Sequence, residues 1–298
     1  MQWEFCPRAY KYIYIDGMRI TPSVPMQLGS SFHDFAKLLI QSLNYNLLYE
    51  VESKNQVRNI LTEASMRIEA PSGLQNPIEN FLTFETDRFW SLHENPDLYD
   101  DPVKYYTPVF AEEYMKVDGV FQDVTLSGIL DRGDLTANKG IALIEYKLSQ
   151  KLNAQRLQKE LMFYSILYEE ANLYEYPVTD LVAYTPVTNE YVWIEMDHKK
   201  QDTVRKRIQM MIDDTEFICK ESIFCSGCVG ADICLNMELD PSVIVEFLSE
   251  SDLAYSTTEV AKAVNIRRNL VKATLSDLYI AGKVKKSMKG RTAYWWVG

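Results

Sequence analysis

The sequence predicts a mixed α/β protein, with a sheet flanked by helices, followed by a small basic module. Apolar residues recur at spacings of three and four before residue 105, and a pattern typical of strands follows from about residue 107 to 147. Helical and strand patterns then alternate until about residue 218. With 298 residues, 47% of them hydrophobic, the chain can bury a substantial core.

The first predicted helices lie between residues 32 and 93. The segments "FHDFAKLLIQSLNYNLL" and "IENFLTFETDRFWSLH" carry the helical spacing, and "APSGLQNP" between them contains the glycine and prolines that interrupt helices. His33 follows "LGSSF", so we expect it at the beginning of the first helix.

Strands are predicted in "TPVFAEEYMKV", "QDVTLSGILDRGDLT" and "GIALIEYKL". A helix follows from about Leu152 to Ala171, because Leu157, Leu161 and Tyr168 lie along one stripe. The segments "DLVAYTPVT" and "EYVWIEM" indicate a hairpin, and "KKQDTVRKRIQMMIDDTEFI" indicates a further helix.

Two acidic residues stand at equal distances from the turn in "GILDRGDLTANKGIALIEYK". A hairpin that is symmetric about Asn138 places Asp131 and Glu145 directly opposite each other. Because side chains alternate along a strand, Lys147 shares their face, whereas Ile144 points to the other. Two like charges so placed favour a bound hard cation such as Mg²⁺ or Mn²⁺. The alternative is an ordinary surface hairpin whose acids pair with the lysine.

The motifs around this hairpin resemble the RecB-type branch of the PD-(D/E)xK nucleases. The resemblance rests on His33, on G-I-L-D ending at Asp131, on E-Y-K from Glu145 to Lys147, and on Tyr164 in the next helix. It implies a restriction-endonuclease-like fold with a helical insertion at about residues 34–105. Three catalytic residues and three metal-binding residues follow from it: Asp131, Glu145 and Lys147 for catalysis, and His33, Asp131 and Glu145 for Mg²⁺ or Mn²⁺.

The resemblance also implies that two residues on the helix after Lys147 contact DNA. These positions are Glu160 and Tyr164, one helical turn apart. The family has glutamine at the first of them. An acid near phosphate is unexpected, so the chain departs from the pattern at Glu160.

The cysteines indicate a metal site. Cys225, Cys228 and Cys234 have ligand spacing, and the fourth ligand could be Cys219 or the distant Cys6. Zinc and an iron–sulfur cluster both accept four thiolates.

The segment "CPRAYKY" at Cys6 is similar to the first cluster cysteine of Fe–S nucleases in the same branch, including the fourth family of CRISPR-associated exonucleases and AddB-type recombination nucleases. The resemblance implies a structural [4Fe–4S] cluster, with zinc as the alternative, that joins the two ends of the nuclease domain. Its ligands would be Cys6, Cys225, Cys228 and Cys234.

The C-terminal pattern predicts a winged helix-turn-helix over residues 239–298, after a nuclease domain over residues 1–238. Asp240 precedes a proline at a helix start, Ser256 and Glu259 form a capping box, Gly282 ends a helix, and two strands flank Gly290.

The charge of this module indicates a phosphate partner. From residue 256 onward nine lysine and arginine residues face two acids, a balance of +7 in a chain of net charge −11. The alternative is a module for protein contacts or dimerisation, and the aromatic residues near the C-terminus could stack on bases or form core. The expected DNA-binding residues are Arg267, Arg268, Lys272, Lys285, Lys286, Lys289 and Arg291.

Two functions remain open from the sequence. The first is a metal-dependent DNA nuclease, an exonuclease on single-stranded DNA or duplex ends that works with CRISPR adaptation (antiviral defence), recombination or repair proteins. The second is a non-catalytic Fe–S winged-helix regulator or scaffold that keeps a nuclease-like fold. The N-terminus has no apolar signal block and no apolar run reaches 18 residues, so we expect a cytoplasmic protein with no membrane partner.

Overall fold

A computed structural model describes residues 2–19, 22–121, 124–222, 225, 228, 230, 234, 239–250, 253–290 and 292–297. The chain forms two compact units, one made of Met1–Thr21 with Met210–Gly298 and the other of Pro22–Gln209. The first unit therefore holds both termini and every cysteine, whereas the domain limits expected from the sequence stay a prediction. None of the helices among the described residues has the length and apolar character needed to span a bilayer.

Helices make up the chain before the sheet. We expected His33 at the beginning of a helix, but it lies in the middle of the first long one, because Ser23 and Pro25 begin that helix ten residues earlier. The helical segments in this part are α1 (Gln2–Phe5), α2 (Pro7–Tyr10), a π-helical turn (Lys11–Ile15), α3 (Val24–Ser42), a 3-10 segment (Tyr45–Glu50), α4 (Lys54–Ser65), α5 (Gln75–His93) and α6 (Pro102–Tyr106).

A five-stranded mixed sheet forms the centre of the second unit. Its strands lie in chain order, every neighbouring pair is antiparallel except β3 and β4, and helix α7 (Ala154–Ala171) makes the connection between these two parallel strands. The strands are β1 (Phe110–Phe121), β2 (Val124–Leu135), β3 (Ile141–Tyr146), β4 (Val178–Thr185) and β5 (Glu190–Glu195). The expected mixed α/β class and sheet flanked by helices are confirmed.

Helix α8 (His198–Ile212) is shorter than the sequence pattern predicts. The pattern continues to Ile218, but the Asp214 carboxylate accepts hydrogen bonds from the backbone N–H groups of Glu216 and Phe217. Such local bonds compete with helical ones, and Phe217 has a left-handed backbone with φ of 48°. The helix therefore ends before this turn.

The main core lies between one face of the sheet and helices α3 to α6. As predicted, Ile144 and Tyr146 face these helices, and the rings of Phe32 and Phe81 meet Tyr146 edge to face at 6.0 and 5.5 Å. Helix α7 packs against β2 at Gly128, where an added Cβ atom would meet Tyr164 and Leu167 of that helix. The two packings hold β2 and β3 between them.

A buried ion network ties α5 to β2. Arg132 is 1% exposed and donates hydrogen bonds of 2.7 Å to both Glu85 and Asp134, while Arg88 donates to the same two acids at 3.3 and 2.9 Å. Burial alone would raise the pKa of Glu85, but the two arginines lower it further than burial raises it. The network thus pairs two arginines with two carboxylates, and two of its members, Arg132 and Asp134, lie on the strand that carries Asp131.

The C-terminal residues form three helices and a small antiparallel sheet. The expected caps are confirmed: Asp240 accepts from the Ser242 N–H, and Ser256 and Glu259 form a complete capping box. Left-handed glycines follow the last helix and lie in the final turn, with φ of 72° at Gly282 and 63° at Gly290. The elements are α9 (Pro241–Ser249), β6 (Tyr255–Ser256), α10 (Thr257–Ala263), α11 (Arg268–Ile280), β7 (Lys285–Lys289) and β8 (Thr292–Trp296), with sheet order β6-β8-β7.

Replacing Arg132 with methionine should lower the free energy of unfolding by about 3–5 kcal/mol, because the buried carboxylates of Glu85 and Asp134 would lose their shorter ion pairs and share Arg88 as one cation. Chemical denaturation of the full chain measures the change. The control is Lys54→Met, which breaks the exposed ion pair with Asp87 and should change the free energy of unfolding little. Equal effects of the two substitutions would contradict the importance of the buried network.

Candidate active site

Three acidic residues form a row across three neighbouring strands. The register that pairs Arg132 with Ile144 places Asp131 opposite Glu145, as the hairpin pattern predicts. On the other side of β2, the register that pairs Leu130 with Glu113 places Asp131 opposite Glu112. Asp131 and Glu145 are only 5% and 4% exposed, so the alternative of an ordinary surface hairpin is wrong.

His33 of α3 contacts the row from the side. Its Nδ1 atom lies 2.7 Å from Oε1 of Glu112 and 3.3 Å from Oδ1 of Asp131. Burial lowers the pKa of His33, but the hydrogen bonds to Asp131 and Glu112 and their charges raise it more, to about 10. Within the described ranges, His33, Glu112 and Asp131 form the one group whose metal-ligand atoms all lie within 4.8 Å of one another.

Glu112 is the residue that sequence reasoning missed. It lies in "AEEYMKV", where either of two adjacent acids could face the site, and its backbone has a left-handed φ of 52° inside β1. Such a conformation is strained for glutamate and is typical of functional positions. Symmetry about the β1–β2 connection would have paired Asp131 with Tyr114, because Phe121 pairs with Val124. A register shift between Val117 and Phe121 brings Glu112 opposite Asp131 instead, so the symmetry argument used for the second hairpin would have missed it.

Lys147 lies between two carboxylates. Its Nζ atom donates to Glu145 and, at 3.0 Å, to Glu160 of α7. Burial lowers the pKa of Lys147, but these two acids raise it further, so the ammonium is charged at neutral pH. Glu160 is thus the partner of Lys147, which accounts for an acid at the position where the family has glutamine.

Burial dominates the electrostatics on the other side of the site. Burial and the neighbouring Asp131 raise the pKa of Glu145 well above its usual range, although Lys147 opposes the shift. Burial also raises the pKa of Tyr164, and the charges of Glu145 and Glu160 add to this effect. Tyr164 therefore lies within electrostatic reach of the acids, as a neutral hydroxyl.

The sequence model of the PD-(D/E)XK nuclease superfamily matches residues 2–235. The chain belongs to this superfamily. Its members are generally nucleases and usually use Mg²⁺ or Mn²⁺. The PD-(D/E)XK match spans the acidic row, Lys147 and all five cysteines, and ends before the C-terminal module. No curated protein matches the chain.

All five cysteines of this PD-(D/E)XK protein line one small cavity, which we call the cysteine cavity (Cys6, Cys219, Cys225, Cys228 and Cys234). A hydrogen bond with Cys219 lowers the pKa of Cys6 to about 5 against the opposing effect of burial. The hydroxyl of Tyr12 lies 3.7 Å from Sγ of Cys234. The fold thus places Cys6 beside Cys225, Cys228 and Cys234. Cys219, which is not among the four expected ligands, lines the same cavity.

The residues expected to bind DNA lie in different surroundings. Arg267 lines the cysteine cavity, and Arg291 lies outside the described residues. Glu160 and Tyr164 lie at the acidic row, as described above. The others are exposed side chains of α11 and β7, namely Arg268, Lys272, Lys285, Lys286 and Lys289.

Glu112→Gln should weaken Mn²⁺ binding by about 10- to 100-fold, because it removes one carboxylate from the group that includes His33 and Asp131. Isothermal titration with Mn²⁺ alone measures the affinity. Glu113→Gln is the matched control, since Glu113 is the next residue and pairs with Leu130 rather than Asp131. If both variants bind Mn²⁺ as wild type does, Glu112 is not a ligand.

Proposed function

We propose that this chain is a Mg²⁺- or Mn²⁺-dependent deoxyribonuclease, an exonuclease that degrades single-stranded DNA or duplex ends in CRISPR adaptation, recombination or repair. One observation carries the proposal: Glu112, Asp131 and Glu145 lie in a row across three strands, with His33 and Lys147 beside them. Superfamily membership supports the same reaction class.

The donor set fits a hard divalent cation. Carboxylate oxygens from Glu112 and Asp131 and one imidazole nitrogen from His33 lie within 4.8 Å of one another and suit Mg²⁺ or Mn²⁺. Glu145, which the resemblance implies as a third ligand, lies opposite Asp131 but outside this group. Burial and then the charge of Asp131 raise the pKa of Glu145, and a cation beside the two acids would favour their charged forms. When bound, such an ion activates water as the nucleophile and stabilises charge on the phosphate.

Lys147 supplies a permanent positive charge. Because its pKa is raised, it donates hydrogen bonds and stabilises negative charge on the phosphate rather than accepting a proton. Glu160 orients the ammonium from α7, so we assign Glu160 a positioning role instead of a DNA contact. Tyr164, one turn further along, is the residue of this helix that we expect at the DNA.

The cysteine cavity is proposed to hold a [4Fe–4S] cluster through Cys6, Cys225, Cys228 and Cys234. Four thiolates on one zinc ion lie about 3.8 Å apart, given Zn–S bonds of about 2.3 Å. Among the described residues, no three of the cysteine sulfurs lie within 4.8 Å of one another. Both groups accept four thiolates, so the similarity of the Cys6 segment to Fe–S nucleases is what favours the cluster.

The C-terminal module is proposed to be a winged helix-turn-helix that holds DNA. Its order of helices and strands and its sheet order support this class. The exposed cations of α11 and β7, Arg268 and Lys272 on the helix and Lys285 and Lys289 on the strand, support contact with phosphate.

Asp131→Asn and Lys147→Ala should each reduce the degradation of labelled single-stranded DNA by at least about 100-fold, because the first removes a carboxylate that would hold the divalent ion and the second removes a positive charge beside the reacting phosphate. The assay compares Mg²⁺, Mn²⁺ and a chelator. Lys151→Ala, an exposed lysine four residues from Lys147, should keep full activity. A wild-type chain that binds DNA but never degrades it with either ion would instead be the non-catalytic scaffold.

Anaerobically purified protein should be brown and contain about four iron atoms per chain. Cys228→Ala should lose the colour and the iron, whereas Cys219→Ala should keep both. Iron analysis and the visible spectrum measure the outcome. Colourless protein with one zinc ion per chain would contradict the cluster, and loss of iron in Cys219→Ala would make Cys219 a ligand.

A further inference from the structure

The hairpin of β7 and β8 has two faces of different composition. Directly paired residues share a face, so Lys285 with Trp296, Ser287 with Tyr294 and Lys289 with Thr292 form one side. We call this side the outer face of the hairpin. The other side includes Lys286 and Trp295, which pair with each other.

The second side packs on the core of the C-terminal module. Trp295 is 2% exposed and its indole N–H donates to Thr257 at 2.9 Å. The Nζ atom of Lys286 lies 5.0 Å from the centre of the Trp295 ring, so this lysine covers the edge of the core.

The two aromatic residues of the outer face are separate from this core. The described residues that form the core or pack on it include Ala293, Trp295 and Val297, but neither Tyr294 nor Trp296. Both of these side chains are partly exposed. The alternation of β8 therefore assigns one tryptophan to the core and leaves Tyr294 and Trp296 beside the lysines.

The first turn of α11 is engaged by the chain itself. Its Asn269 N–H donates to Glu221 at 3.2 Å, and Arg267 lines the cysteine cavity. The preceding turn is held as well, because buried Arg8 donates at 3.0 Å to the carbonyl of Asn265. In helix-turn-helix proteins this first turn contacts bases. Here that use competes with intramolecular contacts, whereas Lys285 and Lys289 on the outer face of the hairpin are exposed and Tyr294 and Trp296 are partly exposed.

We propose that the outer face of the hairpin binds single-stranded nucleic acid. Lys285 and Lys289 are roughly 13 Å apart along the strand and pair with phosphates, while Tyr294 and Trp296 stack on unpaired bases. Bases of a duplex are already stacked on one another, so the aromatic pair favours a single strand. The proposal rests on the proposed function for the identity of that strand as the nuclease substrate.

The test uses the full chain carrying Asp131→Asn, without divalent ions, and a fluorescent oligothymidylate of about 20 nucleotides. Trp296→Ala should weaken binding roughly 5- to 100-fold, and Trp296→Phe should restore most of it. Lys285→Ala and Lys289→Ala should each reduce the slope of log K against log salt by about 0.7. Duplex DNA of the same length should be insensitive to Trp296→Ala.

Lys286 is among the DNA contacts expected from the sequence, but it lies on the core side of the strand, over Trp295, so Lys286→Ala is the matched control. It should change the affinity less than twofold, and circular dichroism should show that every variant keeps its fold. The proposal is overturned if Trp296→Ala binds like wild type, or if Lys286→Ala weakens binding as much as Lys285→Ala does. Failure of the proposed function would give a different result: the wild-type chain would bind single-stranded DNA through this face but would not cleave it with Mg²⁺ or Mn²⁺.

Discussion

The structure of the second unit depends on how it compensates the negative charge of Glu112, Asp131 and Glu145 within its sheet. Three carboxylates meet across β1, β2 and β3, where water screens them poorly. The chain supplies partial compensation: the Tyr146 N–H donates to Asp131 at 2.6 Å, His33 contacts two of the acids, and Lys147 contacts the third. The remaining excess charge is what makes the row suited to a divalent ion rather than to structure alone.

The fold positions this row by packing helices on β2 and β3. On one face the aromatic core and the Arg132 network fix β2 against α5, and α3 brings His33 to the strand ends. Helix α7 lies close to β2 at Gly128, where an added Cβ atom would make tight contacts with Leu167 and Tyr164, and it carries Glu160 to Lys147. Residues that look structural, such as Gly128 and Arg132, therefore set the geometry of the acids.

The first unit is organised around the cysteine cavity. Cys6 and Cys225 are separated by more than 200 residues, and the metal group proposed to join them would restrict a very long loop of the unfolded chain. Contacts of Arg8 and Glu221 extend from this cavity to the turn and first residues of α11. The segments around the cysteines thus contact the C-terminal helices as well as the proposed metal group. Arg267 lies at this contact, where it lines the cysteine cavity.

The sequence alone determined what depends on short-range order. Alternation and turn symmetry gave the strands, the pairing of Asp131 with Glu145 and the side of Lys147, and capping residues gave the C-terminal helix starts. Tertiary structure decided what depends on packing between distant segments: the partner of Glu160, the position of Cys219 at the cavity and the face of each C-terminal aromatic residue. Glu112 belongs to the second group, because a register shift in the β1–β2 pair brings it opposite Asp131 and its contact with His33 exists only once α3 packs beside β1.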